Sequence, residues 1–198
     1  MANQKHLDLL SSGKAAWNKW RRVFADVQAL EPDLHGADLH GMDLRKYDLR
    51  GSDLTEANLQ DADLREVILL EADLRGADLR RANLSDALLL NANLRWANMR
   101  GAILYRVNLK GADLTNADLR EAFMEGTILT KARFALASLS RVDLSGVDIS
   151  KSDLRKSSLE GDILSIASKG DHTGADLSKH LTAEEQILEH AVVPAGSI

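Results

Sequence analysis

From Leu34 to Leu164 every fifth residue is large and apolar, giving 27 consecutive positions, of which 23 are Leu and the others Met99, Met124, Phe134 and Ile149. Two residues before these centres the side chain is usually small, Ala at 15 places and Val at four, with Met42 and Tyr47 among the departures, and Asp or Asn stands between at 18. The unit is therefore Ala-Asp/Asn-Leu followed by two variable residues. On an α-helix a period of five advances each Leu by roughly 140°, which spreads the leucines over every face. In a continuous strand an odd period sends successive leucines to opposite faces. What remains is a short extended segment, with Ala and Leu pointing to one side, and a turn in every repeat. A chain that keeps turning this way winds into a solenoid with leucines stacked in its interior.

The number of sides follows from the places where the Asp/Asn position is apolar. Ile68, Leu88 and Ile128 are 20 and 40 residues apart, as are Ile103, Phe123 and Ile163. A coil of four pentads explains both series, and 27 pentads make about seven coils, a rod roughly 32 Å long at strand spacing. Gly at the second turn position, as in Gly36, Gly41 and Gly51, suits the positive φ of a type II turn. The same position elsewhere holds Glu, Arg, Lys or Trp96, so mixed turn geometry is expected.

A solenoid needs terminal caps. Over 13–29, Trp17, Trp20, Val23, Phe24 and Val27 follow three-and-four spacing among basic residues, which predicts an amphipathic helix, with a shorter turn or helix over 4–10. Such a helix plugs the first coil through its aromatic residues; lying on a membrane is the weaker reading. Near the other end Thr182 and Glu185 form a capping box, followed by Ile187, Leu188, Ala191 and Val192, with Pro194 as a stop. That apolar stripe is expected to close the last coil or to mediate homodimerisation. The domain reading is a helical cap over 1–31, the repeat over 32–166, and a linker with a C-terminal helix over 167–198.

Units such as GADLH (36–40), EADLR (71–75) and GADLT (111–115) resemble the pentapeptide-repeat proteins, a bacterial type included. The resemblance implies an all-β solenoid, a right-handed quadrilateral β-helix with its interior filled by the Leu and Ala columns, to which the helical patterns at both termini add caps. It implies no activity, since fold and function are separable. Some family members confer quinolone resistance as acidic, dimeric DNA mimics that bind type II topoisomerase, which provides one alternative function.

Composition narrows the chemistry. The chain has 25 Lys and Arg against 30 Asp and Glu and no Cys, which excludes disulfides and thiolate chemistry and argues against nucleic acid as a partner. Residues 32–166 hold 22 acidic and 18 basic side chains, a poor copy of the charge on duplex DNA. No secretory signal and no run of 18 apolar residues occur, so a cytoplasmic protein is expected. Stacked carboxylates such as Asp33, Asp53 and Asp73 could hold Ca²⁺, but nearby Arg residues offer a solvated charge lattice instead. His6, His35, His40, His172, His180 and His190 show no helical metal spacing. Neither a nucleophile motif nor an internal pocket is expected, so the reading is non-catalytic and cofactor-free.

The functional lead is the set of outward apolar residues. Ile68, Leu70, Leu88 and Leu90 fall on one face with Ile128 extending it, and Ile103, Tyr105 and Phe123 on the next. Together they predict a ridge that binds a protein partner or a second copy.

Overall fold

A computed structural model describes residues 2–23, 31–144, 147–154 and 157. Two helices, α1 (Gln4–Ser11) and α2 (Lys14–Val23), precede a stack of coils. Asn3 caps α1 by accepting the Lys5 N–H on its side chain.

Parallel bridges join residues 20 apart in four columns: Asp33 through Asp53 to Asp153, Asp38 through Asn58 to Ser138, Asp43 through Asp63 to Phe123, and Asp48 through Ile68 to Asp148. We number these columns as faces 1 to 4. From Asp53 to Asp118 each pentad thus bridges the pentads one coil before and one coil after it, as the spacing of Ile68, Leu88 and Ile128 requires. Adjacent coils lie about 4.8 Å apart at such a ladder.

In the pentad 57–61, which carries Asn before the Leu, each of the five N–H groups finds a partner. Ala57 donates to the Leu54 carbonyl and closes the turn (3.1 Å), and Asn58 donates to Ala37 in the preceding coil (2.9 Å). Leu59 and Asp61 donate to Asp78 and Arg80 in the following coil (2.7 and 3.0 Å). The fifth N–H, that of Gln60, goes to the side-chain oxygen of Asn58 at 3.2 Å. Asp or Asn ahead of the Leu is therefore a backbone partner, the Asx bond that those side chains are short enough to make.

All described turns adopt one geometry. The second variable residue has φ between 54° and 72° at every turn from Gly36 to Arg141 and at Lys151, whether it is Gly, Glu, Arg or Trp96. With the closing bond between the first and fourth turn residues, this is a type II turn throughout. The expected mixture of turns is thus corrected: the two inter-coil bonds on either side of the turn hold the left-handed conformation even where a Cβ costs about 1 kcal/mol. Burial of each central Leu contributes about 2 kcal/mol, which outweighs that cost. Leu54, Leu59, Leu64 and their successors are fully buried, with Ala57, Ala72 and Ala92 between them.

The helices take the place of a preceding coil on two faces. On face 1, Asn3 donates its N–H to the Asp33 carbonyl (3.1 Å) and His6 Nδ1 accepts the Asp33 N–H (2.9 Å). On face 4, the Trp17 indole donates to the Asp48 carbonyl (2.7 Å) and Asn18 Oδ1 accepts the Asp48 N–H (2.9 Å). Trp17 is fully buried, beside Tyr47, whose hydroxyl donates to the Leu10 carbonyl. Val23, placed on the apolar stripe by sequence, is exposed, because α2 meets the coil through Trp17, Asn18 and Arg21. Phe24 and Val27 lie outside the described residues.

Candidate interaction surface

The outward positions divide into a charge lattice and an apolar minority. In the lattice, Arg after Leu folds back on the Asp of its own repeat: Arg65 on Asp63 (2.6 Å), Arg75 on Asp73 (2.7 Å) and Arg120 on Asp118 (2.5 Å). Other pairs climb between coils, such as Arg81 on Asp61 (2.7 Å) and Arg106 on Asp86 (2.7 Å). The guanidinium beside each carboxylate holds Asp63, Asp78, Asp86 and Asp118 below the usual range, and Asp61 is lowered to about 2.

The carboxylates considered for Ca²⁺ are occupied within the fold. Asp33 accepts the His35 N–H, Asp53 accepts both the N–H and hydroxyl of Thr55, and Asp73 pairs with Arg75. Among the described residues no group of three or more His, Asp or Glu is placed to hold a metal ion. His35 Nδ1 lies 2.6 Å from the Thr55 hydroxyl, and His40 Nδ1 4.0 Å from Asp61. His172, His180 and His190 lie outside the described residues.

On face 4, Ile68 bridges Leu88, Asn108 follows, and Ile128 comes next. Leu88 and Ile128 are exposed, whereas Ile68, Leu70 and Leu90 are half-buried. On face 3, Ile103 bridges Phe123, and the described ladder of that face ends there. Phe123 is 65% exposed, and Tyr105 stands at the corner between the faces with the Arg106 guanidinium 4.7 Å from its ring centre. Ile68, Leu88 and Ile128 on face 4 and Ile103 and Phe123 on face 3 form two columns on adjacent faces, with Tyr105 and the Arg106–Asp86 pair on the corner between them and Asn108 interrupting one column, while Leu70 and Leu90 stand at the corner between faces 4 and 1. Around Phe123 a shallow groove is lined by Ile103, Tyr105, Met124, Glu125 and Arg141. Ile187, Leu188, Ala191 and Val192 lie outside the described residues.

Sequence reasoning passed over two further exposed apolar residues, Trp96 (54%) and Leu136 (55%). Both occupy the left-handed turn position on the corner between faces 1 and 2, with φ of 58° and 63°. The available signal was a bulky apolar residue at a place otherwise given to Gly or charge.

A chain of short parallel bridges, one type II turn per five residues and a Leu-filled interior defines a four-sided β-solenoid. The family model for pentapeptide repeats matches in eight copies over residues 33–69, 68–106, 108–146 and 129–161, and the chain belongs to that family. Its members form right-handed quadrilateral β-helices.

Among solved structures, a pentapeptide repeat protein from the cyanobacterium Cyanothece 51142 is 28% identical over 58% of this chain and 58% of its own, with a TM-score of 0.34. The match thus spans less than two thirds of that relative's length. HetL, a pentapeptide repeat protein involved in heterocyst differentiation regulation in Nostoc sp. PCC 7120, is 23% identical over 81% of this chain and 92% of its own (TM-score 0.35). QnrB1, a plasmid-mediated fluoroquinolone resistance protein, is 16% identical over 79% and 97% (TM-score 0.40). No curated protein matches the chain. No helix among the described residues is long and apolar enough to cross a membrane.

Proposed function

We propose that this protein is a non-catalytic interaction or scaffold protein, a rod of about seven coils with helical caps, that binds a protein partner or a second copy of itself. The contact is made by Leu88, Ile103, Tyr105, Phe123 and Ile128, with Ile68, Leu70 and Leu90 at its margin. The observation that carries this reading is Phe123, a large apolar side chain 65% exposed next to Ile103 on a face where Asp and Asn are the rule. Exposed apolar residues gathered on two adjacent faces are characteristic of an interface. A DNA-mimicking role is disfavoured by the lattice itself, since Arg neutralises the Asp of its own repeat at Asp43, Asp48, Asp63, Asp73, Asp78 and Asp118.

Light scattering after size-exclusion chromatography of the wild type and of Leu88→Asp tests the reading. A wild-type dimer that becomes a folded monomer in Leu88→Asp assigns the surface to self-association. A dimer that persists in both Leu88→Asp and Phe123→Asp overturns the self-association reading. A wild-type monomer directs the surface to a different protein, with Leu88→Asp as the non-binding control in capture experiments.

A further inference from the structure

The corner between faces 2 and 3 carries an order of charge that inverts about its centre. Its left-handed turn positions, one per coil, are Asp61, Arg81, Gly101, Glu121 and Arg141. Before Gly101, Arg81 reaches back one coil to Asp61 (2.7 Å); after it, Arg141 reaches back one coil to Glu121 (3.6 Å). The two ion pairs thus point the same way along the rod, with the acid nearer the first coil. Gly101 leaves a shallow hollow between them, with Arg81, Arg100, Glu121 and Phe123 on its rim. Beside this column, on face 3, stand exposed Ile103 and Phe123, and Tyr105 follows at the next corner.

We propose that the partner at this surface is a second copy of the chain, docked antiparallel through face 3 and the corner beside it, with the two-fold axis at the level of Gly101, Ile103 and Tyr105. The proposal rests on the self-association reading above and narrows it to one face, leaving Leu88 and Ile128 outside the contact. A two-fold lying across the rod reverses the order of the coils and sets each corner against its own copy. Arg81 then meets Glu121 of the second copy and Asp61 meets Arg141 of the second copy, which by symmetry makes four interchain pairs from groups that already alternate in sign within each chain. Gly101 faces Gly101, where the missing side chains let the two coils approach. Ile103 packs on Ile103, each Phe123 covers Asn83 of the other copy, and Glu125 comes opposite the Ser85 hydroxyl. Asp63 and Asp143 meet as a like-charged pair, with the Arg65 guanidinium already 2.6 Å from Asp63. A parallel copy is the poorer fit, because a two-fold running along the rod places Glu121 against Glu125 of the same coil. From Asp61 to Arg141 the contact covers four coil spacings, about 19 Å. That is the small end of specific interfaces, so a weak, reversible dimer is expected.

Complementation in trans tests this, because it depends on contacts between chains and not within one. In a homodimer Arg81→Glu and Glu121→Arg each set like charge against like charge twice, whereas a dimer of one variant with the other has only opposite charges at both places. Sedimentation velocity over a range of concentrations is expected to show a reversible wild-type dimer, dimerisation weakened about tenfold in each variant alone, and recovery in the equimolar mixture. Urea midpoints check that both variants fold. A mixture no better than its components, or variants that dimerise like the wild type, overturns the proposal. Leu88→Asp is expected to dimerise normally; a dimer lost there and kept in Arg81→Glu overturns the proposal while self-association stands. A wild type monomeric throughout overturns the proposal and leaves a different protein as the partner. A dimer that survives both Leu88→Asp and Phe123→Asp overturns the proposal together with the reading it rests on. The full chain has no cysteine, so a single engineered thiol reports the axis independently of charge. Ile103→Cys is expected to form disulfide-linked dimers about tenfold faster than Leu88→Cys, and equal rates overturn the proposal.

Discussion

Asn18 Oδ1 accepts the backbone N–H of Asp48 at 2.9 Å, and one coil later the Tyr47 carbonyl accepts the N–H of Ile68 at 3.0 Å. A side chain on α2 thus supplies the acceptor that a preceding coil would have supplied. The same amide reaches the other way, donating from Nδ2 to the Lys46 carbonyl at 2.9 Å. Asn18→Ala leaves both backbone groups without these partners, and we expect a loss of about 1–2 kcal/mol. Urea denaturation measures it, and hydrogen exchange at the Asp48 amide is expected to accelerate while that at Ile68 does not.

Ser52 is fully buried in the Ala column of face 1, and among the described residues its hydroxyl has no hydrogen-bond partner. Ser152 stands in the same column, and its hydroxyl donates to the Leu129 carbonyl at 2.8 Å. Ser52→Ala removes an unsatisfied buried polar group at no loss of contact, and we expect a gain of about 1 kcal/mol. In a protein of this size that is a rise of roughly 2–4 °C in Tm. Ser152→Ala is expected to show no gain, and thermal melts of the two variants side by side make the comparison.

The period, the interior columns and the four sides were legible because they depend on side-chain volume alone: Leu must face in, and Ile68, Leu88 and Ile128 mark a coil of twenty. The turn type was not, because Gly at position 41 and Glu at position 56 suggest different preferences when each turn is considered alone. Inter-coil bonds from Gly41 to Gln60 and from Glu56 to Arg75 impose one conformation on both. The Asp/Asn column suggested a charge lattice, yet its bond to the backbone two residues on applies equally to neutral Asn58 and Asn83. The outward apolar residues of faces 3 and 4 were visible as departures from Asp and Asn. Trp96 and Leu136 were not, since the turn position tolerates many residue types.

Glu71 adopts φ of 57° at a turn. Its Cβ imposes a cost there that Gly avoids, partly offset by the greater freedom of Gly in the unfolded chain. Glu71→Gly is expected to stabilise by about 0.5 kcal/mol and the β-branched Glu71→Val to destabilise by about 2 kcal/mol. The two substitutions therefore move the urea midpoint in opposite directions; the same direction for both would show that the turn relaxes out of the left-handed region.

The Asp–Arg lattice sets the response to acid. Arg81 hydrogen bonds lower Asp61 to about 2, and Arg65, Arg80, Arg106 and Arg120 lower Asp63, Asp78, Asp86 and Asp118. A carboxylate of the unfolded chain titrates near 3.9, so below that pH the unfolded state binds protons that the folded state still refuses. The stabilisation is therefore complete above about pH 5 and is lost as pH falls from about 4 towards 2. Exposed pairs are screened by solvent and salt, so each contributes little and the effect is the sum over a repeated lattice. Urea midpoints measured at pH 7, 5, 4 and 3 are expected to be level down to pH 5 and to fall steadily below 4. Asp61→Asn combined with Asp63→Asn should flatten that fall, because the amides take up no proton, while an unchanged acid slope would place the titrating carboxylates elsewhere in the chain.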